Sequence, residues 1–405
     1  MTDATSSLPI DGSIHWRRNL WVCVFGSFTT VVSMTLLLPF LPIYIEELGV
    51  HGHAEIVQWS GIAYGATFLS AGLAAPVWGR MADRYGRKLM MIRASLGMAV
   101  FMSMIGLAQT VWQLTALRLL AGLVGGYSSG SIILVATQTP KMRSAAALGI
   151  LSSGIMTGSL LGPLIGGVLP PLIGIRSTFL AAGAIIFVAF LATVFLIKED
   201  PRPAVAGNAK RHGGWSSIPN KRPVVAMLVT GMLLMVANLS IEPILTVYVG
   251  QLVGRSAHIT IISGIVISTA ALGSILSASP LGRFADRVGH SRVLTFGLLA
   301  SGALLIPQAF VNNDWQLIGL RFAMGLCLGG LMPCITSIIR HSVPDNAVGY
   351  ILGFSTSAQF AGQVVGPLIG GFVGAHIGLR AVFLVTACLM ATGAVFAWSA
   401  RKRTP

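Results

Sequence analysis

Runs of about twenty apolar residues follow one another along nearly the whole chain, the length that crosses the hydrocarbon core of a bilayer as an α-helix. The runs are continuous rather than alternating, so they describe helices and not the strands of a membrane barrel. Twelve spans can be counted, at 19–45, 57–80, 89–109, 112–138, 145–169, 177–198, 223–249, 258–282, 292–312, 315–340, 347–373 and 379–400. Charged residues make up only 10% of the chain and hydrophobic ones 54%, whereas a soluble domain carries about 25% charged residues. The fold class is therefore all-α, polytopic and membrane-embedded. Forty-eight glycines suit helices packed in lipid, where small residues let backbones approach.

Between spans 2 and 3 lies Gly79-Arg80-Met81-Ala82-Asp83-Arg84-Tyr85-Gly86-Arg87-Lys88. One acid stands among four basic groups, and Gly79 and Gly86 allow close approach and a sharp reversal. The same spacing returns as Gly282-Arg283-Phe284-Ala285-Asp286-Arg287-Val288-Gly289-His290, at 282 − 79 = 203 residues. Trp112-Gln113-Leu114 and Trp315-Gln316-Leu317 repeat at that offset, and so do Arg118 and Arg321. Gly162-Pro163-Leu164-Ile165-Gly166-Gly167 returns at 366 − 162 = 204, as Gly366-Pro367-Leu368-Ile369-Gly370-Gly371, and Tyr44 returns as Tyr248. The chain is thus two pseudo-symmetric six-helix halves, 1–198 and 223–405, joined by a linker at 199–222. Pro201, Pro203 and Pro219 with Gly and Ser predict a mobile surface linker. Paired six-helix halves are a transporter architecture, with a central site that opens to each side in turn.

The net charge of +15 would suit nucleic acid, but its placement points elsewhere. Of 27 basic residues, 22 fall at the first span's start, the two hinges, the turns after spans 4 and 10, the linker and the chain's end. The opposite loops hold only Arg176, Arg255 and Arg380. Both termini and the linker are therefore expected in the cytoplasm. Cys23, Cys327, Cys334 and Cys388 lie inside apolar runs, without metal spacing or a disulfide framework. No HExxH, no phosphate-binding GxxxxGK[ST] and no nucleophile–base constellation appears, so no metal, no cofactor, no ATP-driven step and no enzyme are expected. The polar first residues show no cleavable signal pattern.

The stretches GRMADRYGRK, LTALRLLAG, GSLLGPLIGG and LLLPFLP resemble those of the major facilitator superfamily, and within it the drug/proton antiporters with twelve spans. WRRNL, LPFLPIYIEELGV, GRKLMMIRASLGM and RAVFLVTA are similar to multidrug exporters of the MdtG type. The likeness covers nearly the whole chain. It implies the major facilitator fold, a bacterial inner membrane, and amphipathic antibiotic-like substrates. It also implies that Asp83 meets the start of span 11, latching the cytoplasmic side shut, with Asp286 as its mirror against span 5. Gly79, Asp83, Arg84, Gly86, Arg87 and Asp286 are then the cytoplasmic gate. A bare topological turn is the competing reading. The glycine-proline stretch raises the expectation of efflux, and the arginine matching Arg118 is tied to proton coupling.

The remaining candidates come from the residues themselves. Gly158, Gly162 and Gly166 recur at helical spacing beside Pro163, and Gly366 and Pro367 copy them in span 11. Such a surface allows a close helix crossing and a bend, so these residues form a packing pivot. Arg118 lies within span 4, where a charge is costly and usually functional, although a snorkelling or paired arginine would look the same. Glu242, followed by Pro243, is the one acid of twelve that lies well inside a span. Intramembrane acids default to function. A carboxylate there could bind a proton in one state and release it in another; a neutral glutamic acid bonded to a neighbouring helix is the bland alternative. Asn238, Tyr44, Tyr248, Gln359, Gln363, Met34 and Met235 are candidates for the substrate cavity. A tyrosine at a span end is more often an interface anchor, and a methionine more often filler.

The expected function is proton-coupled export of amphipathic, drug-like molecules by alternating access, with small molecules, protons and lipid as partners, no nucleic acid, and a monomer as the working unit. An uptake symporter for a sugar, peptide or organic anion is the alternative within transport. A non-transporting membrane receptor is the alternative from another class, and it would want a signalling domain or a long tail.

Overall fold

A computed structural model describes residues 14–199, 215, 218, 220–254, 258–344 and 347–401. Asp3, Asp11, Asp200, Arg202, Lys210, Arg211, Arg255, Asp345, Lys402 and Arg403 lie outside the described residues. So do Pro201, Pro203 and Pro219, and with them the mobility expected of the linker.

The first half holds α1 (Trp16–Thr35), α2 (Leu41–Glu47), α3 (His53–Tyr85), α4 (Arg87–Ile105), α5 (Val111–Val124), α6 (Tyr127–Gln138), α7 (Lys141–Ile173) and α8 (Ile175–Leu196). The second holds α9 (Lys221–Val253), α10 (Ile259–Val288), α11 (His290–Gln308), α12 (Asp314–Leu328), α13 (Leu331–Ser342), α14 (Val348–His376) and α15 (Leu379–Arg401). Among the described residues, ten stretches are long and apolar enough to cross a membrane, counting α5 with α6 and α12 with α13. The other two spans are α1 with α2, and α14. The first begins at Arg17, Arg18 and Asn19 and stops at Thr35; the second carries Ser355, Gln359 and Gln363 among its glycines. Their polarity marks helices that face other protein more than lipid.

Spans 4 and 10, expected as single helices, are each broken, and so is the outer part of span 1, where Pro39 and Pro42 are expected to disturb the helix. In span 1 residues 36–40 form turns between α1 and α2, where Pro39 and Pro42 supply no N–H. Span 4 breaks at Gly125 and Gly126, the latter with φ 109°. The carbonyls freed there find partners: Arg93 Nη2 donates to Gly125 at 2.9 Å and Trp78 Nε1 to Leu123 at 2.6 Å. The Arg93 guanidinium lies over the Trp78 ring, 3.5 Å from its centroid. Span 10 breaks at Gly329 and Gly330, and Ser274 Oγ bonds the Gly325 carbonyl there at 3.1 Å.

The charged hinges are mostly helical rather than loops. Helix α3 continues to Tyr85, and the reversal is made by Gly86 alone, at φ 93°; Gly289, at φ 103°, does the same between α10 and α11. These are the backbone angles that side chains with a Cβ disfavour. Gly79, expected to help turn the chain, does not. It sits within α3, and nothing lies within 4 Å of where its Cβ would be. Gly282 is placed alike in α10.

The halves meet along two mirrored seams. In one, Gly61 and Gly65 of α3 face Val364, Pro367 and Gly371 of α14, so closely that a Cβ on Gly61 would collide with the Pro367 carbonyl. In the other, Gly264 of α10 faces Pro163 and Gly167 of α7, and its Cβ would collide with the Pro163 carbonyl. Both seams lie toward the ends of α3 and α10 remote from the hinges. On the hinge side the helices diverge: beyond the Gly72–Phe360 contact, Leu73 and Val77 of α3 are exposed, as are Tyr350 and Phe354 of α14. Trp215 of the linker stands beside Phe354, with ring centroids 6.2 Å apart.

Candidate functional site

Glu242 is positioned by α9, a 33-residue helix with Pro243 inside it. Tyr64 of α3, in the other half, donates from its hydroxyl to Glu242 Oε2 at 2.8 Å. Behind the tyrosine, the Arg118 guanidinium of α5 lies 5.5 Å from the ring centroid. Arg118 Nε donates to the Ala63 carbonyl at 2.8 Å, which fixes the guanidinium beside α3. Arg321 of α12 lies close enough to Glu242 to feel its charge. The four groups form a line, Arg118, Tyr64, Glu242, Arg321, drawn from both halves.

The two arginines and the tyrosine are almost wholly buried, whereas Glu242 is half-buried. Arg321 Nε and Nη2 are buried without a hydrogen-bond partner among the described residues. Charges this deep are costly unless paired; Arg321 is within reach of the carboxylate, while Arg118 lies behind the tyrosine ring. The arrangement has one group that can gain or lose a proton while its neighbours stay cationic, and a surplus of positive charge that an incoming anion could meet.

A cavity of about 240 Å³ adjoins this line in the first half, closed on one side by α14. Its wall is apolar, from Phe68, Met98, Met102 and Phe360, with Thr30, Thr67, Arg118 and Gln363 as polar points. The broken stretch of span 4, Gly125 to Ser129, forms part of it. An apolar chamber with a few fixed polar groups suits an amphipathic small molecule.

Of the expected cavity residues, Met34 and Gln363 line this chamber. Tyr44 and Tyr248 do not. Each is buried near the seam-side end of its span, and its hydroxyl is engaged: Tyr44 donates to the Ile105 carbonyl at 2.6 Å and Tyr248 to the Gln308 carbonyl at 2.8 Å. They pack on Phe179 and Phe383, each bracing its own half. Met235 packs beneath Gly362, Gln359 reaches Ser355 Oγ at 3.3 Å, and Asn238 is half-buried on α9.

The pivot glycines serve two contacts at once. Gly158, Gly162 and Gly166 lie on α1 and its break, against Phe28, Val32 and Leu36, while Gly167 meets Thr260 of the other half. Gly362, Gly366 and Gly370 lie on α9, and Gly371 and Pro367 meet α3. At the hinges, Asp83 pairs with Arg87 and Asp286 with His290, the latter at 3.3 Å. Both carboxylates are largely exposed, and neither bonds to α14 or α7 in this arrangement. Arg84 lies over the Tyr85 ring, 5.3 Å from its centroid. Sequence reasoning overlooked Glu199. Its carboxylate accepts from the Arg87 and Lys88 backbone N–H groups at 2.9 and 2.8 Å, capping α4 from the linker's edge. Tyr64 was overlooked too, because its partner lies in the other half.

Two six-helix halves, seamed at one face, parted at the other and holding charged groups between them, define a transporter of the alternating-access class. A model of the Major Facilitator Superfamily matches residues 23–266 and 243–405, and the chain belongs to that superfamily. It is 41% identical over 397 residues to the multidrug resistance protein MdtG of Salmonella arizonae, covering 98% of each chain. The same figures hold for MdtG of Salmonella typhimurium. Among solved structures, a bacterial homolog of the human lysosomal transporter Spinster matches with a TM-score of 0.78 at 14% identity, over 96% of this chain and 98% of that one. The nucleoside transporter NupG matches with a TM-score of 0.74 at 14% identity, over 96% and 100%. The chain is an integral membrane protein of a transporter family and not an enzyme.

Proposed function

We propose that this protein exports amphipathic, drug-like molecules across a bacterial inner membrane in exchange for protons, working as a monomer. Family membership and the resemblance to multidrug resistance proteins support efflux. The observation that supports proton coupling is Glu242, an intramembrane carboxylate bonded to Tyr64 of the other half with the Arg321 guanidinium in reach. Basic residues gathered on the hinge side support a cytoplasmic position for the termini and linker. The arrangement described above is then inward-facing, with its seams toward the outside.

In this cycle Glu242 releases its proton to the cytoplasm and the chamber takes up substrate. The halves then rock about their glycine crossings, and Glu242 is reprotonated from outside after the substrate leaves. Proton and substrate bias one two-state equilibrium in opposite senses, so they exchange rather than travel together. Asp83 and Asp286 engage α14 and α7 when the cytoplasmic side shuts, and Gly79 and Gly282 leave room for that approach. The excess of buried guanidinium groups over carboxylate favours substrates that carry negative charge.

Inside-out vesicles acidified within test this reading. Anionic and cationic amphiphiles are added in turn and the pH gradient is followed by dye quenching. Proton release that requires both the compound and the protein is expected, strongest for anions. No response across the panel, with well-inserted protein, would point to another driving ion or to uptake of a nutrient.

A further inference from the structure

Among the described residues, four side-chain hydrogen bonds cross between the halves. They are Tyr64 to Glu242, Thr246 Oγ1 to the Leu38 carbonyl at 3.3 Å, Ser268 Oγ to the Leu160 carbonyl at 2.7 Å, and Gln251 to His53 at 3.4 Å. Only one of them ends on a carboxylate. Tyr64 stands one helical turn from Gly61 and beside Gly65, the residues of α3 that touch α14. Any motion that opens this seam draws the Tyr64 hydroxyl away from Glu242.

The strength of that bond depends on the proton. A hydroxyl donating to an ionised carboxylate makes a charge-assisted bond, roughly twice as strong as a neutral one. Tyr64 is held in place for such a bond. Its ring lies under Arg118, whose Nε is fixed to the neighbouring Ala63 carbonyl. The groups that meet Glu242 are Tyr64 from α3 and Arg321 from α12, with Arg118 from α5 behind the tyrosine ring. No other charged group of the helices packed on α9 reaches it among the described residues.

We propose that Tyr64 is a positioning residue that makes closure of the outer seam depend on the charge of Glu242. This rests on the reading of Glu242 as the proton site. With Glu242 ionised, the charge-assisted bond holds the outer side shut, so the empty, deprotonated protein does not return outward. With Glu242 protonated the bond becomes a neutral one, the hold weakens, and the outer seam can part. A substrate in the chamber reaches the latch only through Arg118, which lines the chamber wall and holds the Tyr64 ring. Tyr64 thereby suppresses futile cycling, which would otherwise carry protons inward without cargo. Arg118 acts through it, by holding the ring.

The test uses purified protein in liposomes with an imposed pH gradient and no drug. Tyr64→Phe keeps the ring over Arg118 and removes only the hydroxyl. It is expected to raise substrate-independent proton flux at least several-fold over wild type while labelled-drug counterflow persists, and the added flux should vanish in Tyr64→Phe/Glu242→Gln. Proton flux that stays as tightly drug-dependent as in wild type, with counterflow intact, overturns the latch. The underlying reading fails separately: drug-dependent proton release retained in Glu242→Gln alone removes Glu242 as the proton site, whatever Tyr64→Phe does. A second measurement does not need the phenylalanine variant to transport. Spin labels at Glu55→Cys and His376→Cys, with the four native cysteines replaced, report the outer ends of α3 and α14. Their separation should lengthen on acidification with Tyr64 present and lose that pH response with phenylalanine. A separation indifferent to pH in the parent protein also overturns the proposal.

Discussion

The two halves share a scaffold but not a chemistry. Gly61 and Gly264 occupy mirrored places in mirrored seams, and Pro367 and Pro163 are their partners. Gly86 and Gly289 make the same reversal at nearly the same φ. Yet the repeat that sets Pro39 opposite Pro243 sets Leu38 opposite Glu242, and the repeat of Gly61 in Gly264 sets Ile267 opposite Tyr64. Arg118 has a carbonyl for its Nε, whereas Arg321 Nε is unpartnered among the described residues. Duplication supplies what two-sided motion needs: crossings, reversals and gaps. The Tyr64–Glu242 bond has no such mirror: it draws its donor from one half and its acceptor from the other.

The symmetric part can be broken first, with the largest expected effect. Gly61→Val and Gly264→Val each place branched carbon against a backbone carbonyl of the opposite half. Overpacking costs about 1–3 kcal/mol, a shift of roughly 5- to 150-fold between the two access states. Spin-label distances across the outer side should show that shift, of similar size in both variants because the seams are mirrored. A large effect in one and none in the other would remove the equivalence.

The hinges should show a smaller, lopsided effect. Glu199→Gln weakens the carboxylate cap on α4, worth about 1 kcal/mol, so amide exchange at Arg87 and Lys88 should quicken about fivefold. No carboxylate caps α11 among the described residues, so its first amides should be unaffected. Asp83→Asn and Asp286→Asn remove contacts of largely exposed carboxylates with Arg87 and His290, with a stability effect of about 1 kcal/mol or less. Their influence is expected on turnover, through the closed cytoplasmic state, and unchanged turnover would leave them as topological residues.

The span pattern and the repeat made most of this fold legible. Charge scarcity, run length and a fixed offset of 203 or 204 residues constrain a membrane helix bundle tightly, because lipid leaves the backbone few alternatives. The breaks at Gly125 and Gly329 were not legible, since a glycine pair in a membrane helix reads equally well as a packing surface. Their identity as breaks depends on Arg93, Trp78 and Ser274, which are distant in sequence. Glu242 was visible as a lone acid in an apolar run. Tyr64 was not, because its meaning comes from a helix packed against it 178 residues away. Tyr44 and Tyr248, weighed as cavity residues or interface anchors, are buried and bonded within their own halves to Ile105 and Gln308, partners distant in sequence.

The most direct measurement compares two transport modes of Glu242→Gln in liposomes. Labelled-drug counterflow needs the halves to rock but no proton movement, whereas accumulation driven by a pH gradient needs both. Counterflow near wild type and no gradient-driven accumulation are the predicted results. Accumulation at the wild-type level would show that the proton is carried elsewhere, and the single asymmetric site would lose its role.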